Sequence, residues 1–90
     1  MTREEIIRDI HALDVELAAL EERYGLLSED FYHFYQAGEL EQSRDFIAWA
    51  GFYEARRERE TVYRKLAYGH LRDLRRRSGA GSVALEPAAQ

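Results

Sequence analysis

Six apolar residues, Ile6, Ile10, Leu13, Leu17, Leu20 and Tyr24, recur at spacings that alternate four and three without a break. That alternation holds all six on one seam of an α-helix, as in coiled coils. Ile7 and Val15 lie off the seam. Thr2, with Glu5 three residues on, has the form of a capping box, in which each side chain satisfies a free backbone N–H of the other. Gly25 sits where a left-handed C-cap residue is wanted, so the first helix is expected over 2–24, with a length of about 33 Å. A seam of that length requires a partner helix.

Two further helices follow. Ser28 is expected to cap the second, over 28–37, with Glu29 and Asp30 placing negative charge at its positive end. Leu27 and Tyr32 occupy the two positions of a hydrophobic staple, and Gly38 is the stop. Phe31, Tyr32, Phe34 and Tyr35 surround too much of so short a helix for one buried face. Some of them are expected to meet a second helix and others a partner surface, with Phe31 and at least one neighbour folded inward.

Ser43 repeats the start chemistry, with Asp45 and Phe46 behind it, and opens a third helix expected over 43–77. Gly51 and Gly69 cost only about 1 kcal/mol each in a helix interior, so neither need end it. Phe46, Ile47, Trp49, Ala50 and Tyr53 form an apolar face in its first part, and Tyr63, Leu66, Ala67, His70, Leu71 and Leu74 form another in its last. Between them Glu54 to Glu60 is almost wholly charged; it can support itself by pairs such as Glu60 with Arg64 but bury little, so a bend, a break near Gly51 or Gly69, or solvent exposure is expected there. Residues 1–77 read as a single helical domain and 78–90, small and aperiodic, as a flexible tail.

The fold expected is all-α: an antiparallel helical hairpin or small three-helix bundle. Ninety residues allow only a thin core, so completion by a homodimer is expected, with the first or third helix making the contact. Charge is divided along the chain. Residues 1–45 hold 12 acids and 4 Lys or Arg, and residues 46–90 hold 5 acids and 9 Lys or Arg. The two halves can satisfy each other by antiparallel packing, within one chain or across a dimer, and the surplus is left for outside partners. The absence of cysteine excludes disulfides and thiolate metal sites. With no signal-peptide pattern and no apolar run near the length of a membrane span, the expectation is a soluble, cytoplasmic protein without membrane contact.

The run from Glu22 to Tyr32, then Gln36 to Leu40, then Asp45 to Glu54 resembles a family of short helical prokaryotic proteins interpreted as antitoxin-like components of type II toxin-antitoxin modules. Its members share a tyrosine-glycine hinge, a serine-capped aromatic helix, a glycine-glutamate-leucine turn and an acid-aromatic-Trp-Ala-Tyr helix. The likeness covers about residues 12–60 and departs at Glu41 to Arg44, where a more acidic segment is expected. It implies a non-catalytic protein that binds a cognate small toxin, often a ribonuclease.

A surface that occludes a ribonuclease site must meet basic groups, and Glu16, Glu21, Glu22, Glu29, Asp30, Glu39 and Glu41 supply the charge for it. Interface hot spots favour Trp, Tyr and Arg, so Asp30, Tyr32, Tyr35, Trp49 and Tyr53 are the candidate partner-binding set. Trp49, central in its helix, has core packing as its competing fate. Ile6, Ile10, Leu13, Leu17, Leu20 and Tyr24 are the core or dimer seam. Arg72, Arg75, Arg76 and Arg77 are a possible nucleic-acid contact, set against a role in complementing the helix dipole and the acidic first helix. Asp30 with His33 and His70 with Asp73 have carboxylate-histidine spacing, but the glutamates of a di-metal bundle are missing from the apolar seams, so no metal or cofactor is expected. No phosphate loop, serine elbow or nucleophile-base set is present, and an enzyme is not expected. A structural oligomerisation or adaptor module, and a DNA-binding autoregulator, are the alternatives.

Overall fold

The computed structural model describes residues 1–79 and 81–87, and the described chain is all-α, without a strand. Three helices follow in order: α1 (Arg3–Tyr24), α2 (Ser28–Gln36) and α3 (Arg44–Ser78). Their boundaries follow from local chemistry. The Thr2 and Glu5 capping box forms in both directions at α1, and Gly25 ends the helix with φ 69°, its N–H bonded to the Glu21 carbonyl. Ser43 Oγ accepts from the Phe46 N–H and starts α3.

The start of α2 departs from expectation. Leu27, not Ser28, is the N-cap, and no side chain of its own segment caps the helix. Leu27 is 65% exposed and makes no staple with Tyr32. Ser28 is buried instead, because its hydroxyl is claimed by groups on the other two helices.

α1 and α3 run antiparallel, with α2 laid against the N-terminal part of α3. Three ion pairs mark the register: Arg23 with Asp45 (2.9 Å), Asp14 with Arg56 (2.5 Å) and Asp9 with Arg59 (3.3 Å). Each is partly exposed and screened by solvent, so their value lies in fixing which residues face each other. The charged segment of α3 therefore does more than solvate a gap. Arg56, Arg59 and Glu60 are half-buried, and Arg56 bridges Asp14 of α1 and Glu60 of its own helix. Neither this segment nor Gly51 nor Gly69 interrupts α3, which runs as one helix of 35 residues.

The α1 seam is used within the chain. Ile6, Leu17 and Leu20 are buried, while Ile10 and Leu13 are half-buried. Leu17 and Leu20 join Phe31, Trp49 and Ala50 in the main core, and Tyr32, Tyr35, Leu40, Phe46, Phe52 and Tyr53 pack around it. Burying each large side chain stabilises by roughly 1.5–3 kcal/mol. Of the two roles expected for this seam, core and dimer contact, the core role is seen at Ile6, Leu17 and Leu20, which are buried within the chain, while Tyr24 at its end stays 41% exposed.

This core sits at one end. Beyond it only α1 and α3 continue side by side, where Ile6 and Ala67 are the buried residues. The chain is long for its size, with extents of 54 × 28 × 22 Å and a radius of gyration of 17.5 Å, against about 12 Å for a compact domain of this length. The residues expected to form a flexible tail divide: Ser78 ends α3, residues 81–87 carry no helix or strand, and Ala80 and 88–90 lie outside the described residues. Among the described residues no helix is long and apolar enough to cross a membrane.

Candidate functional site

The aromatic end of the hairpin is built around Trp49. Its indole is fully buried, stacked on Phe31 at 3.9 Å with planes 3° apart and on Tyr24 at 5.7 Å. Its Nε1 donates to Ser28 Oγ at 2.9 Å, and that hydroxyl donates to Glu21 Oε2 at 2.7 Å. The same carboxylate oxygen accepts the Ser28 backbone N–H at 2.8 Å. Glu21, one of the acids expected to face a partner, thus caps α2 from another helix. Among the described residues no buried side-chain polar atom lacks a partner.

Four of the five candidate partner residues are drawn inward. Trp49 is core, which removes it from any contact surface. Tyr35 is half-buried, stacked on Phe31 at 5.4 Å, and its hydroxyl donates to Gln42 Oε1 at 2.8 Å. Tyr32 is half-buried against Tyr53, with ring centroids 4.8 Å apart; its hydroxyl donates to Glu54 and accepts from Gln36 Nε2, both at 2.7 Å. Tyr53 lies between Tyr32 and the Arg57 guanidinium, which sits 5.7 Å from its ring centre. Sequence reasoning misplaced them because Ser28, Phe31, Tyr32 and Tyr35 share one side of α2, and that side faces α3. Only Asp30 is freely presented, with no ion pair among the described residues.

The exposed side of α2 carries a different set. Leu27, Asp30 and Phe34 follow one another at i, i+3 and i+7, a single stripe, with Phe34 46% and Leu27 65% exposed. Glu29 flanks the stripe, Leu26 stands beside it in the turn at 43% exposure, and Glu22, Glu39 and Glu41 are exposed nearby in the sequence. His33 meets the edge of Phe34 at 5.5 Å. The sequence held a signal for Phe34, which with Asp30 lies to one side of the wheel sector shared by Ser28, Phe31, Tyr32 and Tyr35. It was outweighed by the preference for Tyr and Trp anchors.

Ionisation is tuned where the helices meet. Asp45 is held below the ordinary carboxylate value by hydrogen bonds from the Tyr24 hydroxyl (2.6 Å) and the Arg23 guanidinium, and Tyr24 is correspondingly raised. Glu60 is lowered by Arg56 and then by Arg64, and Tyr32 is raised by its bond to Glu54. These shifts mark internal contacts.

At the opposite end, Arg72, Arg75 and Arg76 are exposed and make no ion pair among the described residues. Arg77 is set apart by its pair with Asp73 at 3.0 Å. Lys65 and Tyr68, both exposed, complete a face with Arg72, Arg75 and Arg76 at spacings of three and four, about 16 Å long. Among the described residues these arginines make no ion pair with acidic α1; Arg56 and Arg59 pair with it instead.

Among the described residues no three His, Asp or Glu side chains converge as metal ligands would. A scan of protein-family models and searches of curated proteins and of solved structures return no match to this chain.

Proposed function

We propose that this chain is a non-catalytic binding protein of the cytoplasm whose recognition surface is the outer face of α2, and that it neutralises a small basic toxin by covering its active site. The observation that carries the reading is the stripe of Leu27, Asp30 and Phe34: two large apolar side chains left exposed on a helix whose other side is fully used, with an unpaired acid between them. Apolar anchors give contact area, and the acid selects a cationic partner and speeds encounter. A phosphate-binding ribonuclease site has that charge. The Glu22 to Glu54 likeness to antitoxin-like proteins supplies the biological setting.

The test is co-expression with the product of a neighbouring reading frame. Growth arrest by the neighbour alone, relieved by this chain and no longer relieved by Asp30→Lys or Phe34→Glu variants of unchanged helicity, is the expected result. A harmless neighbour, or full rescue by both variants, overturns it. An adaptor without a toxin would then be the reading that the same face supports.

A second reading is favoured by a separate observation, the unpaired basic face of Lys65, Tyr68, Arg72, Arg75 and Arg76. Such a face suits phosphate contacts along a nucleic-acid backbone. Gel shift with upstream DNA at two salt concentrations checks it, because affinity resting on about four phosphate contacts falls steeply with salt. Absence of any salt-sensitive shift removes this reading.

A further inference from the structure

We propose that residues 81–87 form a strap that closes over a hollow between α1 and α3, at the end of the hairpin away from α2, with Leu85 seated between Ile7 and Leu71. The fold is thinnest there. Beyond the aromatic core only Ile6 and Ala67 are buried, while Ile7 and Leu71, which line the hollow, stay 36% and 39% exposed. Tyr63, Ala67 and Leu74 continue its α3 wall. Apolar surface of this kind gains from being covered.

Glycine turns the backbone after α3 toward this hollow. Gly79 and Gly81 have φ 80° and 119°, a region that residues with a Cβ rarely adopt, and nothing lies within 4 Å of where a Cβ would stand at either. Conformation, not space, is what these two positions require of glycine. After the reversal Ala84, Leu85 and Glu86 border the hollow. The reach agrees, since residues 82–87 span up to about 20 Å when extended and the rise along α3 from Ser78 back to Ala67 is about 16 Å.

The segment is held at one side chain and open at the next. Val83 is half-buried and Leu85 is 68% exposed. Residues two apart share a side of an extended chain, so Leu85 can follow Val83 inward without turning the segment over.

Two properties make this segment the occupant of the hollow it borders. It is tethered, and a short flexible tether sets an effective concentration in the mM range, above that of most free partners. The charged rim selects no strongly charged partner, because Arg3 and His70 stand there against Glu4 and the strap's own Glu86. Neither α2 nor the basic face of α3 takes part, so the strap is tested apart from both readings above.

The experiment is NMR on the full chain, reading methyl NOEs and amide hydrogen exchange. Expected are NOEs from the Leu85 methyls to Ile7 and Leu71 that do not depend on protein concentration. Leu85→Glu should abolish them and speed amide exchange at least about threefold in α1 beyond Ile7 and in α3 from Ala67 to Leu71, with exchange at Phe31 and Trp49 unchanged. Gly81→Ala should act in the same direction, because alanine strains a φ of 119°. The double variant should exchange no faster than Leu85→Glu alone, as two lesions of one device do. Both positions are exposed, so helicity is retained. Absence of the Leu85 NOEs, or exchange indifferent to Leu85→Glu, overturns the strap. NOEs that appear only at high protein concentration also overturn it, in favour of a second copy's C-terminal segment as the cover.

Discussion

The ring of Phe31 lies flat against the indole of Trp49, centroids 3.9 Å apart, and both side chains are wholly removed from solvent. The two residues come from α2 and α3, so this contact ties the short helix to the long one. Replacing Trp49 by Ala should cost about 3–5 kcal/mol in urea unfolding, the range for emptying a buried aromatic site. As Trp49 is the only tryptophan, its emission should be blue-shifted in the folded protein and move red on unfolding. Water-exposed emission from the native chain would contradict this core.

Ser28 is a tertiary residue placed at a helix start. Ser28→Ala leaves the Trp49 Nε1 donor without its partner and takes one of two bonds from Glu21, at about 1–3 kcal/mol for a buried unsatisfied group. Ser43→Ala removes only a cap, at about 1 kcal/mol. The former should therefore exceed the latter in equilibrium unfolding; the reverse order would return Ser28 to an ordinary capping role.

Glycines separate by conformation. Gly25 has φ 69°, where a side chain strains the backbone, so Gly25→Ala should destabilise by about 1 kcal/mol. Gly51 and Gly69 lie inside α3, with open space where a Cβ would go. Gly51→Ala and Gly69→Ala should each stabilise by about 0.4–1 kcal/mol, seen as a higher thermal midpoint.

Stability should fall at both extremes of pH. The folded-state values of Asp45 and Glu60 are depressed below their ordinary 3.8 and 4.5. Their contribution is complete above those ordinary values and lost as pH falls through the depressed ones. Tyr24 and Tyr32 are raised above 10.0, so the folded chain holds those protons longer, and stability drops as pH rises past 10.0 toward the raised values. Because the Tyr24 and Asp45 shifts arise from one hydrogen bond, Tyr24→Phe should blunt both arms of a urea-midpoint profile. An unchanged profile in that variant would separate the acid arm from this contact.

Much of the fold was legible because its signals are local. The Thr2, Glu5, Gly25 and Ser43 end chemistry and the α1 seam involve residues within one or two turns of each other, and each recurs in the structure. The opposed charge of the two halves foretold their antiparallel pairing, though not that Arg56 and Arg59 would make it while Arg72, Arg75 and Arg76 make no ion pair among the described residues. The candidate site was read less well. Asp30 holds its place on the surface, but Tyr32, Tyr35, Trp49 and Tyr53 went to the core and its lid, and Leu27 and Phe34 took the exposed positions.

By itself the sequence determined three helices, their ends and the face of α1 that must be covered, since hydrogen bonding and periodicity act over a few residues. Which side of α2 turns inward was decided only by tertiary structure. Both of its sides carry aromatics, and local preference does not distinguish them. The Ser28 hydroxyl can satisfy Trp49 and Glu21 together only when Phe31 and Tyr35 face α3, and that arrangement leaves Leu27, Asp30 and Phe34 outside.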